Sequence, residues 1–242
     1  MKKSAQSFIG VVILAGFAVL ANAVLHAQSV DHVRFVSFLL VACLAARLKV
    51  KLPGLTGSMS VNLPFILVAA AEMSSSEALA VACFSTFVQC LPRATQKFNP
   101  VQAIFNFSNM ALAVGATRLM LAQPSLNSMI SSHALLLALA AAGFFVVNTV
   151  PVAIIISLTE AKQALKVWGE IFQLSFPYFV LSAAVAGVVL TASEHIGWQV
   201  PLAVLPVMFG VFHSYKRYFS AAKETAPAPF PVAARAATVN GD

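Results

Sequence analysis

The chain has 242 residues, of which 60% are hydrophobic and only 10% charged, and it carries a net charge of +7. A soluble domain holds about a quarter charged residues, so a mean hydropathy of +0.86 excludes an ordinary water-soluble fold. The positive charge therefore reports membrane orientation rather than affinity for nucleic acid, which is not an expected partner.

Crossing about 30 Å of hydrocarbon takes roughly 20 helical residues. Apolar runs fall at residues 7–25, 35–48, 61–73, 78–91, 101–121, 134–158, 172–192 and 199–218. The second, third and fourth are short and fit only if extended or buried behind neighbours. The expected fold is an all-α polytopic bundle of about eight spans with both termini cytoplasmic.

The positive-inside rule sets the direction. With Lys2 and Lys3 inside, the connections bearing Arg47, Lys49 and Lys51, then Arg93 and Lys97, Lys162 and Lys166, and Lys216 and Arg217 all fall inside too. Lys223 and Arg235 follow in the tail, which makes thirteen of fifteen basic residues, and only Arg34 and Arg118 fall outside. Merging the third and fourth runs would put Arg93 and Lys97 outside, so seven spans are disfavoured. At the N-terminus, a secretory signal cleaved near Ala21-Asn22-Ala23 or Leu25-His26-Ala27 is the alternative to a retained first helix, although the apolar stretch is long for a signal.

The membrane domain is expected over residues 1–218, with a disordered Pro/Ala-rich cytosolic tail over 219–242. Between the sixth and seventh runs, residues 159–170 read as a short interfacial helix with Trp168 at headgroup level. A faint echo links Asn62-Leu63-Pro64-Phe65-Ile66-Leu67 to Ser175-Phe176-Pro177-Tyr178-Phe179-Val180, each expected to open an inside-to-outside span. The loop from Lys51 to Asn62 holds a Pro53-Gly54 turn and small hydroxylated residues. It reads as an entry turn for the next helix, or as an anion cradle without a P-loop ending.

The fifth run carries the sharpest local pattern. Asn99, Gln102, Asn106 and Asn109 recur at steps of three, four and three, which stacks them on one helix face. A carboxamide in lipid leaves its donors and acceptor unmatched, so this face must meet protein or a polar cavity. Expected partners are Asn62, Gln89 and Asn148-Thr149. The candidate ligand-binding residues are thus Asn62, Gln89, Gln102, Asn106 and Asn109, with plain interhelical adhesion as the competing role.

Charge is nearly absent at mid-depth, which argues against an ion-coupled transporter. The cysteines (Cys43, Cys83, Cys90) lack metal spacing, and the histidines expected on the outer side (His26, His32, His133, His195) share no helical i, i+3 or i+4 pairing. No H-E-x-x-H or G-x-S-x-G motif occurs. Neither an enzyme activity nor a cofactor nor a metal is expected.

Between Leu48 and Asn109 stand Leu52-Pro53-Gly54, Gly57, Met59-Ser60-Val61-Asn62 and Pro64-Phe65, then Gln89, then Pro100-Val101-Gln102 and Phe105-Asn106. In these residues the chain resembles the multi-helix membrane input regions that precede cyclic-di-GMP cyclase or phosphodiesterase modules in bacterial signalling proteins. The resemblance implies a non-catalytic sensory or small-molecule-binding module in the bacterial inner membrane. It departs from the family pattern where the effector should begin, so a separate signalling enzyme is the expected partner beside the lipid bilayer. A transporter, or its substrate-binding subunit, for a small uncharged metabolite is the alternative.

Overall fold

Each expected apolar run forms a helix, and the polar residues between the runs decide where each one starts. The computed structural model describes residues 3–27, 31–51, 58–92, 98–130 and 132–224. Within them lie α1 (Lys3–Leu25), α2 (His32–Arg47), α3 (Leu63–Glu72), α4 (Ser75–Cys90), α5 (Pro100–Ala122), α6 (Pro124–Met129), α7 (His133–Glu160), α8 (Ala164–Ile196) and α9 (Val200–Glu224). Side chains cap several starts: Asp31 accepts from Arg34 N, Asn99 from Gln102 N and Ser132 from Leu135 N. Ser74 and Glu77 form a reciprocal capping box at α4. Most of Lys51–Gly57, Arg93, Lys97 and the tail beyond Glu224 lie outside the described residues.

Among the described residues two short strands were not foreseen. β1 (Lys49–Lys51) and β2 (Ser58–Ser60) pair antiparallel, with Val50 opposite Met59. Three-residue strands are too short for alternation to be read from sequence. The ribbon buries Val50 and Met59 and feeds the chain into α3 through a bond from Val61 N to Leu48 O.

α3 is the centre of the molecule. Its residues Leu63 to Ala70 are all buried, and it packs against α2, α4, α5 and α8. An all-apolar helix surrounded by others is a core element. At ten residues it rises about 15 Å, half of what a lipid-crossing helix needs. By length and composition α1, α7 and α8 are long and apolar enough to cross a membrane. Large apolar side chains point outward on the outer helices, among them Leu14, Leu40, Phe84, Leu139, Val188 and Phe209. Such a belt suits hydrocarbon surroundings.

Polar contacts gather at the two ends of the bundle. Arg34 pairs with Glu72, and the Arg118 guanidinium donates to Ala70 O (2.8 Å), to Met73 O and to Ser75 Oγ (2.9 Å). Arg118 thereby satisfies the last carbonyls of α3, which no further turn of helix supplies. The two cations expected on the outer side thus meet at one end. Lys49 Nζ reaches Leu91 O at the opposite end. In the α7–α8 connection Ala161 takes a left-handed conformation (φ 57), and Lys162 pairs with Glu160 at 2.7 Å. That carboxylate raises the Lys162 ammonium above its usual range.

Two local expectations are corrected. Residues 159–170 are not a separate interfacial helix, because α7 runs to Glu160 and α8 starts at Ala164. Trp168 is drawn inward instead: its indole donates to Thr149 Oγ1 (3.0 Å) and its ring lies near Phe145 and Phe172. The Ser175–Val180 echo does not open a helix either. It lies in the middle of α8, with Pro177 inside the helix, whereas Pro64 sits in the first turn of α3.

Candidate functional site

Where β2 turns into α3, the chain needs polar partners at depth, and neighbouring helices supply them. Ser60 Oγ donates to Asn62 Oδ1 (2.7 Å), and Asn62 Nδ2 donates to Ser85 Oγ on α4 (3.1 Å). Ser85 Oγ in turn donates to Ala82 O (3.0 Å). With its carboxamide so engaged, Asn62 makes no side-chain cap to α3. The Tyr178 hydroxyl on α8 accepts from Leu63 N instead (3.3 Å).

Beside this entry lies a cavity of about 180 Å³ between β2, α3, α4, α5, α7 and α8. Its polar lining comes from Ser60, Asn62, Gln89, Asn148, Thr149, Ser175 and Tyr178. Its apolar walls include Ile66, Met110, Phe144, Val152, Ile171 and Phe179. A mostly apolar hollow with a few converging polar groups is the usual form of a small-molecule site. Thr149 accepts from Trp168 and donates to Phe145 O (2.7 Å), which spends its donor and leaves one lone pair. Ser175 Oγ donates to Ile171 O (2.6 Å) and retains its lone pairs. The α7–α8 wall is stiffened by rings: Phe145 lies 4.6 Å from Phe179 and 5.6 Å from Phe172, both edge-on.

The five expected ligand-binding residues are divided by this arrangement. Asn62 and Gln89 line the cavity. Asn109, buried on α5, stands behind it and donates to Asn148 O (2.8 Å) and Asn148 Oδ1 (3.3 Å). Asn106 donates to Cys90 Sγ at 3.5 Å, outside the cavity. Gln102 is exposed in the first turn of α5, and Asn99, expected in the same stripe, is that helix's cap. The stripe therefore turns inward only from Asn106 onward, because α5 starts too near the end of the bundle for its first turn to be covered. The partners expected on the sixth run, Asn148 and Thr149, do line the cavity. Sequence reasoning missed Tyr178, Phe144, Phe179 and Ser175, whose apolar neighbours hid them; the Ser175-x-x-Tyr178 spacing was the available signal.

Two substitutions separate the members of the stripe. Asn109→Leu is expected to cost about 0.6–2 kcal/mol through the lost α5–α7 bond. Gln102→Leu is expected to stay within about 0.5 kcal/mol of the parent, as exposed positions do. Thermal unfolding in one detergent checks both, and equal effects would contradict the placement.

Residues 7–219 match the family model MASE9. MASE domains are multi-helix membrane-associated sensory domains of cyclic-di-GMP signalling proteins. No curated protein and no solved structure matches the chain.

Proposed function

The chain belongs to the MASE9 family of membrane-associated sensory domains, and we propose that it is the input module of a cyclic-di-GMP system, reading occupancy of the cavity beside Asn62. In this reading it is non-catalytic, passes the inner membrane of a bacterium eight times with both termini in the cytosol, and acts on a separate cyclic-di-GMP enzyme. α3 counts as a span only because the ribbon before it and its neighbours shield its short length.

The observation that carries the proposal is the double contact of Tyr178. Its side chain lines the cavity and holds the first amide of α3, and its ring lies 6.2 Å from Tyr215 on α9, edge-on. A ligand that displaces the hydroxyl from Leu63 N alters how α8 meets α9, the last helix described. Two cavity helices are softened near that level: Pro151 in α7 and Pro177 in α8 each withhold an N–H from the helical ladder. A ligand moves such an equilibrium only by binding one state better. Going from 1:9 to 9:1 requires a preference of roughly eighty-fold, about 2.6 kcal/mol.

Spin labels on Lys162→Cys and Arg217→Cys, with Cys43, Cys83 and Cys90 replaced by Ala, test the relay in lipid nanodiscs. Pulsed EPR is expected to give a different distance distribution when the cavity is filled by Ser175→Leu. An unchanged distribution in folded protein would remove α9 as the reporter.

A further inference from the structure

We infer that the cavity takes a neutral, flat, single-ring molecule presenting a hydrogen-bond acceptor; this rests on reading the cavity as a ligand site. Charge is excluded first. No Asp, Glu, Lys, Arg or His is among the lining residues, so an ion entering would lose its hydration without gaining a counter-charge. Size comes next. About 180 Å³ slightly exceeds the roughly 150 Å³ hollow that admits benzene. One ring with two or three further heavy atoms fits; a nucleotide, and therefore cyclic-di-GMP itself, does not.

The polarity of the lining selects the acceptor. Asn62 Oδ1 accepts from Ser60 Oγ and Asn148 Oδ1 accepts from Asn109 Nδ2. The carbonyl ends of these two lining amides are thus occupied from within the protein. Asn62 Nδ2 spends one N–H on Ser85 and keeps the other, and among the described residues the Asn148 amide donates to no protein group. Two of the unspent groups are thus N–H donors, which call for a carbonyl or similar oxygen on the ligand, while the lone pairs left on Ser175 and Thr149 can accept from an N–H of the same molecule. Flatness follows from Phe144, Tyr178 and Phe179, whose rings stand 6.0–6.2 Å apart at tilted or edge-on angles and offer faces and edges to a further ring. The thioethers of Met59 and Met110 complete the lining with side chains that adjust to ring substituents.

Benzamide is the probe, with benzoate as its charged counterpart and cyclohexanecarboxamide as its non-flat one. Saturation-transfer NMR on the full chain in nanodiscs is expected to give saturable benzamide binding. Benzoate should bind at least about tenfold more weakly and cyclohexanecarboxamide at least about threefold more weakly. Ser175→Leu, which fills the hollow, should abolish the signal, and Asn148→Leu should weaken it by about tenfold or more. Any of three results overturns the assignment: benzoate binding as well as benzamide, benzamide binding undiminished in Ser175→Leu, or no saturable binding to folded parent protein. If benzamide fails while Ser175→Leu still alters cyclic-di-GMP, the ligand class is wrong and the sensor survives. If benzamide binds as stated and cyclic-di-GMP ignores the filled cavity, the site stands and the sensor reading falls.

Discussion

Gly16→Ala is expected to destabilise the membrane domain by about 1–3 kcal/mol, the range for forcing extra carbon into a packed contact. Gly10→Ala, six residues earlier on the same helix, is expected to stabilise it by roughly 0.5–1 kcal/mol. The difference lies in what a methyl group meets. At Gly16 it would fall 2.5–2.7 Å from the Ser108 carbonyl oxygen, Cβ and Cα, whereas at Gly10 nothing lies within 4 Å. Ser108 is buried in the middle of α5 and cannot rotate away, so α1 must retreat along its length. That would loosen the Phe17–Phe107 ring contact, 6.4 Å between centroids, and the seat of Val19 on Gly115. Thermal unfolding of both variants in one detergent gives the comparison, and equal shifts would contradict the α1–α5 packing. The same contact seats α1 along α5 in the bundle.

The legible and illegible parts of this fold follow physical lines. Apolar runs and their polar breaks gave the helices, because hydrocarbon burial and capping act through residues close in sequence; Ser74 and Glu77 are an instance. The brevity of the 61–73 run was visible, and its cause is central burial behind α2, α4, α5 and α8. The ribbon was not visible, since Lys49–Lys51 and Ser58–Ser60 pair across a connection that only the folded chain defines. Trp168 looked interfacial by composition, but its N–H found Thr149 on the neighbouring helix. Within the candidate site the amides stood out because carboxamides are scarce and costly at this depth. Asn62, Gln89 and Asn148, which stand out on that ground, line the cavity, while Gln102 is exposed because periodicity gives a face and not the depth of a turn. Tyr178 and Ser175 were missed because a tyrosine or serine in an apolar helix carries no distinguishing pattern until a neighbour such as Leu63 N or Ile171 O is placed beside it.

The second large effect concerns signalling. Ser175 lies on the cavity wall, 5% exposed, and its hydroxyl is already spent on Ile171 O. Leucine there adds apolar bulk to the hollow without leaving a buried donor unpaired, so the fold should tolerate it better than loss of Asn62 or Asn148. Val152→Phe fills the same space from α7. Each variant mimics permanent occupancy, and both should push the equilibrium the same way. The decisive measurement is cyclic-di-GMP in the chain's own host, comparing parent, Ser175→Leu, Val152→Phe and Gly10→Ala at matched membrane levels. The expected result is a change of about threefold or more, of one sign, in both cavity-filled variants and none in Gly10→Ala. Parental cyclic-di-GMP in both cavity-filled variants, with the protein folded in the membrane, would contradict a sensor that reads this cavity.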